Sequence, residues 1–413
     1  MERNRLELLP GVFLTLVRRA ETEPACFRAA LLRQLSREEA AMNALLPEAL
    51  LFGTQRHPDG SLADALSALH AKAEPLVRGV GEVQAVGFTA VFDHDPAQFA
   101  ALMQVLAGIL LAPDTRFGQL KKEAVERALQ RWDETDEAED DPFAAMREHM
   151  CCFEDYAVAR LGNLEECREI RYRKLTRQYQ QVLSSSPVEI CYCGREAPEK
   201  IAECLRSALS TLPRGEIDYE IGTDVRMNAV EDDVRRVTET MDVNQARLVM
   251  GFRLGEVMEE PDRATLSMFN TVFGSGVTSK LFVHVRERLQ LCYSVASIVD
   301  VHKGTLFAAA GIDASKASEA EAEILHQLQE VRDGNITDEE LEYAKAGILS
   351  DLTAMLDSPG AMESFFFSNA IDGSDLTPEE YAVRVREVTK EDVSAVAKSI
   401  VPDLFYLLRG EDK

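Results

Sequence analysis

The sequence predicts an α+β fold made of two homologous domains in tandem, each an antiparallel-rich sheet packed by helices. The chain has 413 residues, of which 46% are hydrophobic, and this is enough for more than one sizeable core. Strand-like and helix-like periodicities alternate along both halves. Related patterns recur at an offset of roughly two hundred residues, which is too long for a solenoid repeat.

Strand signals open the chain. Residues 6–17, LELLPGVFLTLV, contain two short extended runs around Pro10 and Gly11. Residues 83–95, VQAVGFTAVFDHD, are rich in β-branched and aromatic side chains, as strands are. The next segment, PAQFAALMQVLAGILLAP, repeats apolar residues at helical spacing and predicts a helix on that sheet.

The two segments that end the halves share one plan. Residues 173–194 and residues 386–410 each have a charged lead, a threonine suited to cap a helix, an amphipathic helix, a Ser/Pro break and a strand ending in glycine. The two threonines are Thr176 and Thr389. This correspondence favours duplication of one domain.

The boundary between the halves falls in an acidic, turn-rich stretch with weak periodicity, residues 212–234. We therefore expect an N-terminal domain over 1–213, a linker over 214–233 and a C-terminal domain over 234–413. The eight cysteines form no C-x-x-C pair, and Cys191 and Cys193 lie on one face of an expected strand, where they pack as small hydrophobic residues. Reduced thiols in the cytoplasm fit this pattern.

Charge and hydropathy exclude several classes of partner. The formal net charge is −26 and the isoelectric point is near 4.7. This charge repels phosphate backbones and anionic lipid, so we expect neither nucleic acid nor a membrane as a partner. No apolar run approaches the roughly 20 residues of a membrane span, and charged residues interrupt the opening segment, so we expect no export signal.

One stretch in the second half contains residues typical of a catalytic site, but no residue nearby that could bind a metal or attack a bond. Residues 273–295, FGSGVTSKLFVHVRERLQLCYSV, contain the glycine loop Gly274, Ser275 and Gly276, followed by Arg286 and Tyr293. Spacing alone allows a plain structural interpretation, in which Arg286 pairs with Glu287 and Tyr293 is a half-buried strand residue.

This stretch resembles the glycine loop and the Arg…Tyr segment of pitrilysin- or insulinase-like zinc peptidases, including two-chain bacterial members and mitochondrial processing peptidases. As a pattern, the resemblance covers essentially the whole chain and implies two tandem α/β sandwich domains in a half-clamshell. It further implies that Tyr293 donates its hydroxyl toward an oxyanion, that Arg286 binds a substrate carbonyl, and that residues 274–276 contact the peptide.

Active members of the family carry His-x-x-Glu-His on a helix, where both imidazoles bind zinc and the Glu is the general base. The matching segment here, NALLPEALLFGT, has Leu45 and Ala49 in the histidine positions and Glu48 in that of the base. Pro47 lies inside the expected helix and should disturb its first turn. For the third ligand the sequence offers only Glu123 and Glu126, without a secure match.

No other pair of histidines restores the site, because no two of the seven stand at i, i+4 spacing. We therefore expect no metal and no cofactor in this chain, with zinc in a catalytic partner. The resemblance implies a non-catalytic, substrate-binding subunit of a heterodimeric zinc metallopeptidase, whose partner carries His-x-x-Glu-His and whose substrate is a peptide.

A stand-alone pseudopeptidase, homodimeric and acting as a peptide-binding or scaffolding protein, is the alternative. Among bacterial relatives that lack the motif, the overall resemblance is to inactive subunits labelled as associated with 5-aminopentanol modification of elongation factor P. None of the residues of this chain points to that chemistry.

Overall fold

The computed structural model describes residues 2–18, 24–138 and 143–410. The chain forms two compact units that are not contiguous in sequence. Unit 1 contains residues 1–140, 158–222 and 355–375, and unit 2 contains residues 141–157, 223–354 and 376–413. In the part that the structure describes, no helix is long and apolar enough to cross a membrane.

The strands, in chain order, are β1 Glu2–Leu9, β2 Val12–Arg18, β3 Ala25–Gln34, β4 Ala71–Val80, β5 Val83–Phe92, β6 Thr115–Arg116, β7 Gln119–Leu120, β8 Val188–Gly194, β9 Arg235–Thr240, β10 Ala246–Arg253, β11 Cys292–Asp300, β12 Thr305–Ile312 and β13 Val401–Arg409. The predicted pair of strands around Pro10 and Gly11 is confirmed as β1 and β2, which are antiparallel.

The α-helices are α1 Ala40–Leu51, α2 Leu62–Ala68, α3 Phe99–Leu111, α4 Lys122–Ala138, α5 Ala144–Met150, α6 Leu164–Glu169, α7 Tyr172–Ser185, α8 Pro198–Ala208, α9 Arg263–Phe273, α10 Ala317–Arg332, α11 Asp338–Leu356, α12 Pro359–Ile371, α13 Pro378–Glu387 and α14 Lys390–Ser399. A π-helix spans Leu281–Arg288, and short 3-10 turns span Asp155–Ala157, Gly255–Met258 and Ala314–Lys316.

Both units have the same sheet order. In unit 1 a six-stranded sheet runs β1-β2-β8-β3-β5-β4, and in unit 2 a five-stranded sheet runs β11-β12-β10-β13-β9. The pairs β2–β8 and β13–β9 are parallel, and the other neighbours are antiparallel. Setting β1 aside, β2-β8-β3-β5-β4 therefore corresponds to β9-β13-β10-β12-β11, and this confirms the internal repeat.

Helices bury one face of each sheet, and this burial forms the two main cores. In unit 1, alternate residues such as Phe27 and Phe88 pack against α1, α3 and α7. In unit 2, Met250 and Phe405 pack against α9, α10 and α14. Alternation along each strand sends the remaining side chains to the second face.

The second face of each sheet is covered by a segment from the other half of the sequence. Residues 355–375, with α12, belong to unit 1, whereas residues 143–157, with α5, belong to unit 2. A single linker between two contiguous domains does not describe this interleaving of the two halves. The boundary between the units at residues 222 and 223 nevertheless lies inside the expected linker, residues 214–233. The predicted boundaries themselves stay a prediction.

Under α12 lie three buried cysteines and an ion pair. Cys26, Cys191 and Cys193 pack against Met362 and Phe366 of α12, so the expectation that Cys191 and Cys193 share a face is confirmed. Arg28 of β3 pairs with Glu363, which is fully buried. Burial raises the pKa of Glu363 to about 7, although the charges of Arg28 and Arg78 oppose the shift.

In unit 2, two cations bind the carboxylate of the covering segment directly. Arg253, which is fully buried, binds Glu154 at 2.7 Å and Asp403 at 2.8 Å. Lys303 also reaches Glu154, at 2.6 Å. Burial alone would raise the pKa of Glu154, but hydrogen bonds from Arg253 and Lys303 hold it below its usual value.

Two local predictions were wrong. Thr389 caps α14 in a capping box, as expected, but Thr176 lies inside α7, where its hydroxyl donates to Tyr172 O at 2.6 Å and accepts from Leu120 N at 3.0 Å. Pro47 does not disturb α1, which runs through it from Ala40 to Leu51. Burial of nearly the whole helix compensates for the missing backbone donor at Pro47.

Candidate functional site

The three degenerate motif positions lie on α1 in unit 1. Leu45 is 1% exposed, Ala49 is 2% exposed, and both belong to the hydrophobic core. One helical turn separates them, so they lie on one face of the helix, as zinc-binding histidines would. Apolar packing fills the space that imidazoles would need.

Glu48 is paired with a cation. Its carboxylate accepts a hydrogen bond from Arg127 Nε of α4 at 2.8 Å, and its side chain is only 10% exposed. The contact from α4 to the degenerate motif is therefore made by Arg127, which binds Glu48. Of the two carboxylates suggested for a third ligand, Glu126 is exposed and pairs with Lys122 at 2.7 Å, and Glu123 is also exposed.

These residues do not fit a zinc ion. A catalytic zinc site needs three protein ligands, usually imidazole or carboxylate, around an open position. The motif region offers two aliphatic side chains and one carboxylate that already binds a guanidinium. Within the described ranges, no cluster of three or more His, Cys, Asp or Glu side chains has the geometry to hold a metal.

The glycine loop of unit 2 is fixed to the edge of the sheet. The carbonyl of Gly274 accepts a hydrogen bond from Ser297 N of β11 at 3.0 Å. A Cβ atom on Gly274 would lie 2.4 Å from Ser297 Oγ, so only glycine fits there. Gly276, by contrast, has φ +104° and open space around it, and Ser275 is half-buried. The exposed part of the predicted loop is therefore Gly276.

Arg286 lies on the π-helix that follows this loop. π-helical turns are rare and occur often at functional sites. The side chain is 41% exposed, stacks over Phe282 at 4.6 Å from the ring centroid, and has its Nε 3.7 Å from Glu287 Oε1. The expected Arg286–Glu287 pair is therefore loose, and an exposed pair of this kind contributes little stability.

Tyr293 follows at a β-bulge. The register between β11 and β12 shifts between Cys292 and Ser294, which leaves Tyr293 as the extra residue. Bulges change the direction of a side chain at a strand. The tyrosine is 68% exposed, and its hydroxyl has no hydrogen-bond partner in the described part of the chain. Tyr293 does lie in a strand, β11, but the expectation that it is half-buried is wrong.

The structure brings Arg286 and Tyr293 to adjoining elements. Leu291 N donates to Val285 O at 2.9 Å, which closes the π-helix onto the start of β11. Burial raises the pKa of the Cys292 thiol to about 11, with Arg286 close enough for its charge to oppose the shift. The arrangement places one cation and one free phenol at the start of an edge strand.

Unit 1 also contains a cleft that sequence reasoning missed. It has a volume of about 520 Å³ and is lined by the loop Thr54–His57 after α1, by Val105, Gly108 and Leu111 of α3, and by Thr211 after α8. Three segments distant in sequence form it, so no single motif signals it. The motif positions Leu45, Glu48 and Ala49 do not line it.

Site and fold together are similar to those of metallopeptidase-like proteins, with buried aliphatic side chains of α1 at the positions that correspond to zinc-binding histidines. A family model described as "Peptidase M16 inactive domain" matches residues 169–348. YmfF of Bacillus subtilis strain 168, described as a probable inactive metalloprotease, is 24% identical over 398 residues, covering 92% of each chain. SCO5738 of Streptomyces coelicolor, described as an uncharacterized zinc protease, is 24% identical over 86% of this chain and 77% of its own.

Solved structures agree in fold. A conserved protein from Enterococcus faecalis V583 superposes with a TM-score of 0.89 at 23% identity, covering 100% of this chain and 99% of that one. The structure described as a peptidase M16 inactive domain from Pseudomonas fluorescens gives a TM-score of 0.80 at 15% identity, with coverage of 100% and 99%. The chain is therefore similar, in sequence over residues 169–348 and in fold over its whole length, to M16 peptidases and to proteins described as inactive members of that family.

Proposed function

We propose that this chain is the non-catalytic, substrate-binding subunit of a two-chain zinc peptidase in the cytoplasm. Arg286 and Tyr293 serve the active site of a homologous partner that carries His-x-x-Glu-His and the zinc ion. The single observation that carries the proposal is the bulge that holds Tyr293 68% exposed with a free hydroxyl. A phenol kept in this state gains nothing for the fold of its own unit.

The chemistry follows from the two side chains. When a peptide carbonyl is attacked, negative charge develops on its oxygen, and a fixed hydrogen-bond donor stabilises that charge. The Tyr293 hydroxyl is the donor in this scheme. Arg286 binds a neighbouring carbonyl of the extended peptide and thereby positions the substrate. Gly276, at the exposed end of the glycine loop, leaves room for the peptide backbone.

The test is hydrolysis of a quenched fluorescent peptide library by the chain, by its His-x-x-Glu-His homologue, and by the mixture. We expect only the mixture to cleave well, and Tyr293→Phe to lower its kcat/KM by about 10²–10³. Tyr343→Phe is the matched control, because Tyr343 of α11 is also exposed, at 60%. Arg286→Gln should raise KM, whereas Arg288→Gln on the same π-helix should not.

The other outcome selects the second candidate, a stand-alone pseudopeptidase that binds peptides without turnover. The Glu48–Arg127 pair fits this candidate as well as the first, since it leaves the motif unable to activate water in either case. If the homologue cleaves equally well alone, or if Tyr293→Phe leaves the mixture unchanged, donation in trans is wrong. Peptide binding by the isolated chain would then be the function to measure.

A further inference from the structure

The cleft of unit 1 has no part in the proposed function and is large enough for a small molecule. Its volume of about 520 Å³ falls in the range of ligand pockets. All the residues that line it belong to unit 1. The apolar part of the lining consists of Ala101, Val105, Gly108, Leu111, Ala112 and Ala208. The polar part consists of Thr54, Gln55, Arg56, His57, Gln104 and Thr211.

The charge of this lining is opposite to the charge of the chain as a whole. Asp and Glu make up 71 of the 413 residues, and the formal net charge is −26. Among the described residues that line the cleft none is acidic, and the titratable ones are Arg56 and His57. In the described ranges, neither of these two side chains makes a hydrogen bond or an ion pair. An unpaired guanidinium beside an apolar surface favours an anion that also has an apolar part.

The loop that carries these two side chains is fixed by its backbone. Gln55 N donates to Ala112 O at 2.8 Å. Thr54 N donates to His57 O at 3.0 Å. Gly53 permits the tight turn, because a Cβ atom there would lie 2.9 Å from His57 O. Since the backbone holds the loop, binding a ligand orders little more than the side chains, and this lowers the entropic cost of binding.

The carboxylates that anchor the same loop already have a cation. Asp114 accepts a hydrogen bond from Asp59 N at 2.9 Å and pairs with Lys121 at 2.7 Å. Asp59 pairs with the same lysine at 2.6 Å. Arg56 takes no part in these pairs, so its guanidinium is available to a ligand.

Gly108 keeps the cleft open, although the fold does not require a glycine at this position. It lies inside α3, where glycine is less favourable than alanine. Its φ is not positive, and a Cβ atom would meet nothing closer than Thr54 Cγ2, at 3.9 Å, which is an ordinary contact. Because Gly108 is part of the lining, a larger side chain would occupy space inside the cleft.

We propose that this cleft binds a small organic acid with one carboxylate and an apolar body. Arg56 pairs with the carboxylate, and Val105 and Leu111 contact the apolar body. One guanidinium matches one negative charge, whereas the field of a chain with a net charge of −26 repels more highly charged anions. The site lies on unit 1 and uses neither Arg286 nor Tyr293, so it goes beyond the proposed function.

Isothermal titration calorimetry of the full-length chain with octanoate tests the proposal. The wild type should bind one octanoate per chain with a Kd below about 1 mM. It should bind 1-octanol, which lacks the charge, at least about 10-fold more weakly. Arg56→Gln should weaken octanoate binding about 10-fold and leave octanol binding unchanged. Arg116→Gln is the matched control, because Arg116 is also an exposed arginine of unit 1 but does not line the cleft.

Filling the cleft gives the sharper result. Gly108→Leu should abolish octanoate binding with an unchanged or higher Tm, because leucine is a better helix former than glycine. Gly108→Ala adds one methyl group and should weaken binding by a smaller factor, and it replaces the leucine variant if that variant does not fold. Gly347→Leu is the control and should leave binding intact, since Gly347 lies inside α11 of unit 2 with open space around it.

Three results would overturn the proposal: a wild type without saturable octanoate binding below about 1 mM, octanol binding as tight as octanoate binding, or a Gly108→Leu variant that binds as tightly as the wild type. A short peptide ending in leucine, as free acid and as amide, tests the competing occupant. If the free-acid peptide binds and octanoate does not, the ligand is a peptide C-terminus and the assignment to a small molecule is wrong.

Discussion

In unit 1, helix α1 ends just before Phe52 and Gly53 and is buried along nearly its whole length. In unit 2, the equivalent helix α9 ends at Phe273, before Gly274, and leads into exposed residues. The first carries aliphatic side chains where polar ligands would be needed. The second is followed by a π-helix and a bulge that keep Arg286 and Tyr293 in solvent. The same chain plan thus serves stability in one unit and leaves polar groups available in the other.

The two covered faces differ in a similar way. In unit 1 the buried Glu363 of α12 pairs directly with one cation, Arg28, and Arg78 acts on it through its charge. In unit 2, Glu154 of the covering segment pairs directly with two cations, Arg253 and Lys303. The number of cations that bind each carboxylate directly therefore decides whether burial raises its pKa, as in Glu363, or is overcome, as in Glu154. It also predicts that the two units respond to pH with opposite sign.

The largest difference between the units should appear in the free energy of unfolding when Leu45 of unit 1 and Tyr293 of unit 2 are each replaced by alanine. Leu45→Ala should lower the free energy of unfolding by about 2–5 kcal/mol, since it leaves a cavity in the core of unit 1. Tyr293→Ala should change it by about 0.5 kcal/mol or less, because the ring is mostly exposed. Urea titrations at pH 7 measure both. Equal losses would contradict the contrast between a filled and an open site.

The pH dependence of the covered faces should come next in size. Because the folded-state pKa of Glu363 is raised from 4.5 to about 7, its stabilising contribution is complete below its unfolded pKa and is lost as pH rises toward 7. The unfolding free energy of wild type relative to Glu363→Gln should therefore fall by up to about 3 kcal/mol between pH 4.5 and pH 8.

Glu154→Gln is the matched comparison in unit 2. The folded-state pKa of Glu154 is lowered, so its contribution is present above its unfolded pKa and is lost as pH falls through the folded value. Relative to this variant, the wild type should gain stability as pH rises. The same slope for both variants would show that direct pairing with two cations does not distinguish Glu154 from Glu363.

The smallest effect should come from the ion pair at the degenerate motif. Arg127→Gln removes the partner of Glu48, but the guanidinium is half exposed, so the loss should be about 1 kcal/mol and should shrink in high salt. Arg288→Gln on the exposed π-helix should cost almost nothing. A loss above about 3 kcal/mol for Arg127→Gln would mean that Glu48 behaves as a fully buried charge.

Local spacing predicted much of the fold. Short-range patterns identified the strands around Pro10, the shared face of Cys191 and Cys193, and the cap at Thr389. The same reasoning failed where distant residues override a local preference: Thr176 lies inside α7, with its hydroxyl bonded to Tyr172 O and to Leu120 N, and Pro47 is held inside a buried helix. The roles of Arg286 and Tyr293 in a partner's active site stay predictions.

The sequence by itself determined that the chain is duplicated and that the zinc-binding histidines are missing, because both follow from which residues stand at fixed spacings. Only the tertiary structure decided that α5, from the first half of the sequence, belongs to unit 2 and that α12, from the second half, belongs to unit 1. It also decided that Arg127 binds Glu48, which is 79 positions away, and that a bulge exposes Tyr293. These features depend on contacts between residues far apart in the chain, and no local pattern of amino acids determines which distant residues make contact.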